Sequence, residues 1–210
     1  MSKWVFDSNV ADRFEREAVN HIPGYHRVIK ETVTTVTQSY PTSARILDVG
    51  SAIGTTVQEF HSRGYTNAYG LEKSSDMIAK SRCGEHIIHG DKLPSNMMWD
   101  VVVCNWTLHF IHDRSKFLQQ IYNQLLPDGL LIITDKMRAT KGQKEAYYQF
   151  KSNNGITLEE IAAKEKSLKG VLTVKPLSWY TTTLNSIGFV EIVSVTQNFM
   201  FHTLRCNKPC

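Results

Sequence analysis

The sequence predicts an α/β fold in which helices cap a mostly parallel sheet that ends in an antiparallel C-terminal hairpin. From position 45 onward, short continuous apolar runs alternate with amphipathic stretches. This alternation is typical of strands that are buried on both faces and joined by crossover helices. The last two apolar runs, at 189–196 and 200–205, follow each other without a helix between them, which predicts the hairpin.

Length and composition indicate an ordinary globular chain. Its 210 residues suffice for one domain with a full core, so we expect a single domain spanning 1–210. No apolar run approaches the roughly 20 residues of a membrane span, and residues 1–7 meet an acidic side chain before any signal-peptide core. We therefore expect a cytoplasmic protein without a membrane partner. The net charge of +4 is spread along the chain, which permits a tRNA partner without arguing for one.

Residues 1–43 are predicted to form a helical cap. Val10, Phe14 and Ala18 recur at helical spacing, the pattern breaks at 20–24, and a second helical face begins at Tyr25. Because these helices precede the first strand, they can lie across a ligand cleft.

Residues 44–135 are predicted to form the ligand-binding core, and residues 136–210 a helical insert with the closing hairpin. The core strands are expected at 46–49, 68–71, 86–89, 101–104 and 130–134, with a helical pattern at 55–60 and a helix at 116–126 that the turn at 127–129 stops. In the insert, helices are expected at 143–151, from a capping box at Thr157 to about Lys169, and at 177–187.

The core is organised around residues 45–54 (RILDVGSAIG), an apolar strand that runs into a turn of small residues. Backbone N–H groups at such a turn can approach a ligand closely, and Glu72, about 20 residues beyond the turn, suits the hydroxyls of a ribose. Dinucleotide oxidoreductases share this general pattern. However, Asp48 before the first glycine repels a pyrophosphate and suits an ammonium group. S-adenosylmethionine carries such an ammonium group together with a cationic sulfonium.

Polar side chains are expected at two further strand ends. Asp91 follows the third strand, where a carboxylate can accept a hydrogen bond from an adenine amine. Asn105 and Trp106 follow the fourth strand, at the edge where open α/β sheets bind ligands. A helix cap or turn role remains the alternative for Asp91, and a strand-end turn for Asn105. The cluster of Cys83, His86 and His89 has zinc-ligand residue types, but its spacing of three alternates faces of an extended segment, so we expect no metal.

Several motifs together resemble a known family. Residues 48–54 (DVGSAIG), Glu72, 90–91 (GD) and 105–108 (NWTL) resemble the motifs of class I S-adenosylmethionine-dependent methyltransferases. Residues 22–25 (IPGY), 135–136 (DK), 154–155 (NG) and 184–189 (LNSIGF) extend the similarity. They resemble the carboxy-S-adenosylmethionine synthases of the tRNA wobble-uridine oxyacetic-acid pathway.

The resemblance implies a Rossmann-like methyltransferase fold, S-adenosylmethionine as cofactor with S-adenosylhomocysteine as its product, and a homodimer. The expected cofactor-binding residues are Tyr25, Asp48, Gly50, Ser51, Ala52, Gly54, Glu72, Lys73, Asp91, Lys92, Asn105 and Trp106. In that family prephenate supplies a carboxylate-bearing carbon, and an arginine holds the new carboxylate. The position of this arginine is Thr183 here, with Arg138 or Lys136 as candidate replacements. Tyr25, Arg138 and Thr183 are therefore the expected substrate-pocket residues.

Ordinary methyl transfer requires mainly that the acceptor be held in line with the methyl group, with a base where the acceptor loses a proton. His109, four residues beyond Asn105, is the candidate base, although a packing role in the first turn after the strand remains open. We expect a transferase that moves a methyl group to a small-molecule acceptor. Synthesis of the carboxylated cofactor from prephenate and a non-catalytic module that binds cofactor or tRNA are the two alternatives.

Overall fold

The computed structural model describes residues 5–210, which form one seven-stranded sheet with the order β3-β2-β1-β4-β5-β7-β6. The strands are β1 Ile46–Val49, β2 Ala68–Glu72, β3 Ile87–His89, β4 Trp99–Asn105, β5 Leu125–Lys136, β6 Val190–Asn198 and β7 Phe201–Asn207. Strands β1 to β5 pair in parallel, whereas β7 pairs antiparallel with both β5 and β6. The predicted parallel sheet with its closing hairpin is confirmed.

The helices lie before, between and after these strands. Within residues 5–210 they are α1 Ser8–Ala11, α2 Phe14–His21, α3 Tyr25–Thr37, α4 Thr55–Ser62, α5 Ser75–Ala79, α6 Arg114–Gln124, α7 Lys141–Asn153, α8 Leu158–Leu168 and α9 Leu177–Ile187. Helix α9 has the predicted bounds, and Thr157 opens α8 through the predicted capping box. A second capping box at Thr140 starts α7 slightly earlier than predicted.

The prediction of one continuous helix through Val10 and Ala18 is wrong, because the segment is split into α1 and α2. The Asp7 side chain caps α1 by accepting a hydrogen bond from Val10 N at 3.0 Å. The two helices pack in different apolar clusters. Val10 packs in a cluster with Met77 of α5, whereas Ala18 packs against Tyr25 of α3.

The predicted end of the helix at 126 is also wrong, since α6 ends at Gln124 and the turn at 127–129 lies inside β5. Leu125 already pairs with Trp99 of β4, beyond a register shift in that strand. The Lys208 ammonium donates to the Leu125 carbonyl at 2.7 Å, which fixes the backbone where the helix ends. Strand β3 starts at Ile87 rather than at 86, because 84–86 form a 3-10 turn.

The two faces of the sheet support separate apolar cores. Leu47, Val102 and Cys104 belong to a core with residues of α6 and α9, whereas Ile46 and Val101 belong to a core with residues of α3 and α4. Burial on both faces is the physical reason for the continuous apolar runs in the sequence.

Residues 1–4, on which the expectation of a chain without a signal peptide partly rests, lie outside the described residues. Within the described part of the chain, no helix has the length and apolarity to cross a membrane.

Candidate active site

A cavity of about 440 Å³ opens at the carboxyl ends of β1, β2 and β4. Strand β1 has β2 on one side and β4 on the other, so the chain reverses its direction of winding at this point. Open α/β sheets bind ligands at such a switch point, because the loops that leave the two neighbouring strands diverge there. The helices α1 and α2 contribute Val10, Phe14 and Ala18 to the lining of the cavity.

Most of the predicted site residues line this cavity. They are Tyr25, Asp48, Gly50, Ser51, Ala52, Glu72, Lys73, Asp91, Asn105, Trp106 and His109. The other four predicted residues do not line it, and they are Gly54, Lys92, Arg138 and Thr183.

The four residues outside the lining have identifiable places in the fold. Gly54 precedes α4 with a φ of 80°, and an added Cβ would lie 2.7 Å from the Cys83 sulfur. Lys92 and Arg138 are exposed. Thr183 lies on α9, whose Leu184 is buried in the core on the α6 face of the sheet.

Asp48 is a buried carboxylate that lines the cavity, and its side chain bonds to Thr56. Burial, together with the nearby Glu72, raises the pKa of Asp48 to about 7 despite the bond from Thr56. A carboxylate in this environment gains from a cationic ligand group, because the positive charge offsets both the desolvation and the repulsion.

The turn after β1 is held tightly against the end of β4. Gly50 has a φ of 70°, and an added Cβ would lie 2.4 Å from the Thr107 hydroxyl oxygen. That hydroxyl donates a hydrogen bond to the Val49 carbonyl at 2.7 Å. Ala52, two residues later, also has a positive φ of 50°. Only a glycine at position 50 lets the two strand ends approach this closely.

Glu72, the last residue of β2, forms hydrogen bonds that hold the same turn in place. One of its carboxylate oxygens accepts from Ala52 N at 2.9 Å, and the other accepts from Ser74 N at 2.8 Å. Each oxygen has two lone pairs, so each retains capacity for a ligand hydroxyl. The sequence predicts a ligand-binding role for Glu72, whereas its bonds to the backbone of the turn depend on contacts that the sequence pattern does not show.

Three buried polar atoms in the cavity lining have no hydrogen-bond partner within residues 5–210. They are Ser51 Oγ, Asn105 Oδ1 and Trp106 Nε1. Buried polar atoms are nearly always hydrogen-bonded. The end of the cavity where these three atoms and Asp48 lie therefore suits a polar ligand with several donors and acceptors. Trp106 also has a positive φ of 57°, a strained conformation that is concentrated at functional sites.

Tyr25, the first residue of α3, lines the cavity next to Trp106. Its ring stacks on Trp106 with a centroid distance of 5.0 Å and an interplanar angle of 29°. Burial raises the pKa of Tyr25 to about 12, although its hydroxyl bonds to Thr55. The tyrosine is therefore neutral near pH 7, and its ring packs against Trp106.

His109 is buried beside the cavity and bonds through Nδ1 to the Asp135 carboxylate. The Tyr180 hydroxyl donates to the second oxygen of Asp135. The Arg114 guanidinium in turn donates to the Tyr180 hydroxyl at 3.0 Å and to the Thr173 carbonyl at 2.8 Å. A carboxylate at Nδ1 orients the ring and leaves Nε2 as the nitrogen that can take up a proton. Nothing in the spacing of these residues could have predicted the network.

The opposite end of the cavity is formed by charged and aromatic residues of α2, β5, α7 and α8. They are Glu17, His21, Lys136, Tyr147, Lys151, Lys164 and Glu165. Of this group only Lys136 could be proposed from the sequence, because the group forms when four separate elements meet.

Comparisons with known proteins agree on one family. A family model described as a methyltransferase domain matches residues 21–163. A relative from Helicobacter hepaticus named carboxy-S-adenosyl-L-methionine synthase is 30% identical over 97% of this chain and 94% of its own length. A relative of the same name from Shewanella halifaxensis is 26% identical over 97% of this chain and 92% of its own length.

Solved structures extend the likeness at the level of the fold. The magnesium protoporphyrin IX methyltransferase of Synechocystis PCC 6803, solved with bound SAH, superposes with a TM-score of 0.69 at 13% identity and covers 97% of this chain and 96% of its own. At such identity the likeness concerns the fold alone.

Proposed function

The chain belongs to the methyltransferase-domain family, and on this premise we propose that it binds S-adenosylmethionine and transfers the methyl group to a small-molecule acceptor. One observation carries the proposal. Asp48, Glu72 and Asp91 line the same end of one cavity, together with the unpartnered atoms Ser51 Oγ and Asn105 Oδ1. This set offers acceptors for an ammonium group, two ribose hydroxyls and an adenine amine.

The residues present fit this cofactor. Asp48 holds the ammonium group, and the Gly50–Ala52 backbone approaches the methionine part. Glu72 takes the ribose hydroxyls and Asp91 the adenine amine, while Tyr25 covers the site.

When bound, S-adenosylmethionine supplies a methyl group that its sulfonium has already activated. The chain itself contributes positioning and the exclusion of water, because the stacked Tyr25 and Trp106 cover the polar end of the cavity. Where the acceptor loses a proton, His109 takes it at Nε2, and Asp135 stabilises the resulting imidazolium through Nδ1.

A second candidate function is synthesis of the carboxylated cofactor from prephenate. Two observations favour it: the name of the relatives, and three lysines at the far end of the cavity, which supply positive charge although no arginine lies on α9. Incubation with S-adenosylmethionine and prephenate, followed by mass spectrometry, separates the two functions. A product heavier than the cofactor by one carboxyl group would establish the second function and exclude simple methylation as the activity on this substrate.

The biological setting is a further part of the proposal. We propose a cytoplasmic homodimer that acts in tRNA modification through its small-molecule product. Support comes from the resemblance to the carboxy-S-adenosylmethionine synthases. Sedimentation of the purified protein tests the dimer, and a monomer at micromolar concentration contradicts it.

Calorimetry tests the cofactor site directly. We expect S-adenosylmethionine and S-adenosylhomocysteine to bind, and Glu72→Gln to weaken both by at least about tenfold, since one acceptor oxygen is lost. Glu145→Gln is the matched control, because the Glu145 side chain is 66% exposed on α7. Absence of binding by the unaltered protein at high micromolar concentration would leave a non-catalytic module as the better interpretation.

A further inference from the structure

We propose that Lys136 and Lys151 form an oxyanion clamp that holds a carboxylate or phosphate group of the acceptor at the end of the cavity opposite Asp48. The inference rests on the proposed function, whose acceptor it assigns to a chemical class. The acceptor is a small molecule with an apolar body and an oxyanion at one end.

The two ammonium groups lie over the same aromatic ring. Lys151 Nζ is 4.4 Å and Lys136 Nζ is 5.0 Å from the centroid of Tyr147. Lys151 is only 3% exposed, and both lysines line the cavity. The ring itself is held in place, since the Tyr147 hydroxyl donates to the His21 carbonyl at 2.8 Å. Two cations thus lie within 5.0 Å of the centre of one anchored ring, and both residues belong to the cavity lining.

Neither ammonium group forms an ion pair or a hydrogen bond with a carboxylate in the described part of the chain. The two carboxylates of this region are bonded elsewhere. Glu17 lies 3.4 Å from Arg13 and 3.4 Å from Lys164. Glu165 accepts from the Tyr148 hydroxyl at 2.5 Å and lies 3.7 Å from Lys144. No carboxylate of residues 5–210 therefore contacts either ammonium group, although Glu165 attracts both of them from a greater distance.

Burial of these cations without a partner is unfavourable. Burial, followed by repulsion from Lys136, lowers the pKa of Lys151 to about 8, and burial likewise lowers the pKa of Lys136. An aromatic face compensates only part of the lost hydration of an ammonium group. A structural role in packing Tyr147 would be served as well by an uncharged side chain. An oxyanion from the acceptor supplies the missing compensation.

Charge is also distributed along the cavity in a way that orients an acceptor. The cofactor end carries Asp48, Glu72 and Asp91 with a single lysine, whereas the far end carries three lysines and two carboxylates. Trp106 and Phe201, which pack in one cluster with Tyr147, also line the cavity and suit an apolar body. An anionic group at the far end directs the rest of the acceptor towards the sulfonium.

Three small probes test the clamp on protein saturated with S-adenosylhomocysteine. They are phenylacetate, phenyl phosphate and the neutral phenylacetamide, each titrated by calorimetry. We expect at least one anion to bind about tenfold or more tightly than the amide. The tighter of the two anions identifies a carboxylate or a phosphate acceptor. Equal binding of all three, or no binding of either anion at millimolar concentration, would overturn the proposal.

Variants assign the preference to the clamp. Lys151→Met and Lys136→Met should each remove most of the preference for the anion, whereas Lys141→Met on the same helix as Lys151 should preserve it, because the Lys141 side chain is 92% exposed. An unchanged affinity for S-adenosylhomocysteine shows that the variants are folded and that the cofactor site is intact. If that affinity persists while Lys151→Met and Lys136→Met keep the anion preference, the clamp is refuted and the proposed function stands.

Discussion

Replacing Asp48 by asparagine should stabilise the free protein and weaken its binding of cofactor. The carboxylate has its pKa raised from 3.8 to about 7 by burial and by Glu72. Because the folded-state pKa is the higher one, the folded protein binds an extra proton between about pH 4 and pH 7. The stability contributed by this group is therefore lost as the pH rises through that window.

The expected magnitude follows from the pKa difference. A pKa difference of one between the folded and the unfolded state corresponds to about 1.36 kcal/mol. The difference at Asp48 is about three, so its ionised form lowers the free energy of unfolding by roughly 4 kcal/mol above pH 7. Asp48→Asn removes this penalty and keeps a partner for the Thr56 side chain. Urea denaturation at pH 5 and pH 8 should give a variant whose advantage over the unaltered protein grows by roughly 3 kcal/mol between the two pH values, because part of the penalty is already present at pH 5.

Binding should respond in the opposite direction. The unaltered protein should bind S-adenosylhomocysteine up to about tenfold more tightly for each pH unit from 5 to 7, because the ammonium group requires ionised Asp48. In Asp48→Asn we expect no such slope and a loss on the order of 2–5 kcal/mol. Asp128→Asn, at an exposed position, is the control. An affinity of the unaltered protein that does not change between pH 5 and 7, or a variant that keeps the slope, would refute this reasoning.

Two further substitutions test the turn and the buried network. Gly50→Ala places a Cβ 2.4 Å from the Thr107 hydroxyl at a φ of 70°, so we expect at least about tenfold weaker binding of S-adenosylhomocysteine and a lower melting temperature. Gly142→Ala, inside α7 where an added Cβ meets nothing within 4 Å, should leave the affinity unchanged and should not lower the melting temperature. Tyr180→Phe leaves the buried Asp135 short of one donor, so chemical denaturation should show a loss of about 1–3 kcal/mol. An unchanged stability would mean that water replaces the hydroxyl.

The fold could be predicted from the sequence because its signals are local. Strands buried on both faces give continuous apolar runs, and these runs located β1, β2 and β4 to within a few residues. The prediction failed where contacts between distant residues decide the backbone. The helix α6 stops at Gln124 because Leu125 pairs with Trp99, and nothing in the 116–126 pattern records that pairing.

The residues of the candidate site likewise fall into one group that the sequence predicts and one that it does not. The cofactor end could be predicted because parallel strands bring their carboxyl ends to one edge, so that Asp48, Glu72 and Asn105 had to lie near each other. The far end could not be predicted, since Lys136 and Lys151 meet only when α7 folds back over the end of β5.

The contacts between the end of α2 and the region of α7 have a consequence for the order of folding. The Tyr147 hydroxyl binds the His21 carbonyl across 126 residues of chain, and Asn154 binds the Asn20 carbonyl across 134. Each bond joins the end of α2 to the region of α7, so both can form only after these segments have packed together. The sheet should therefore assemble before its cavity closes. If these two contacts open while the sheet stays folded, ligands gain a route into and out of the cavity.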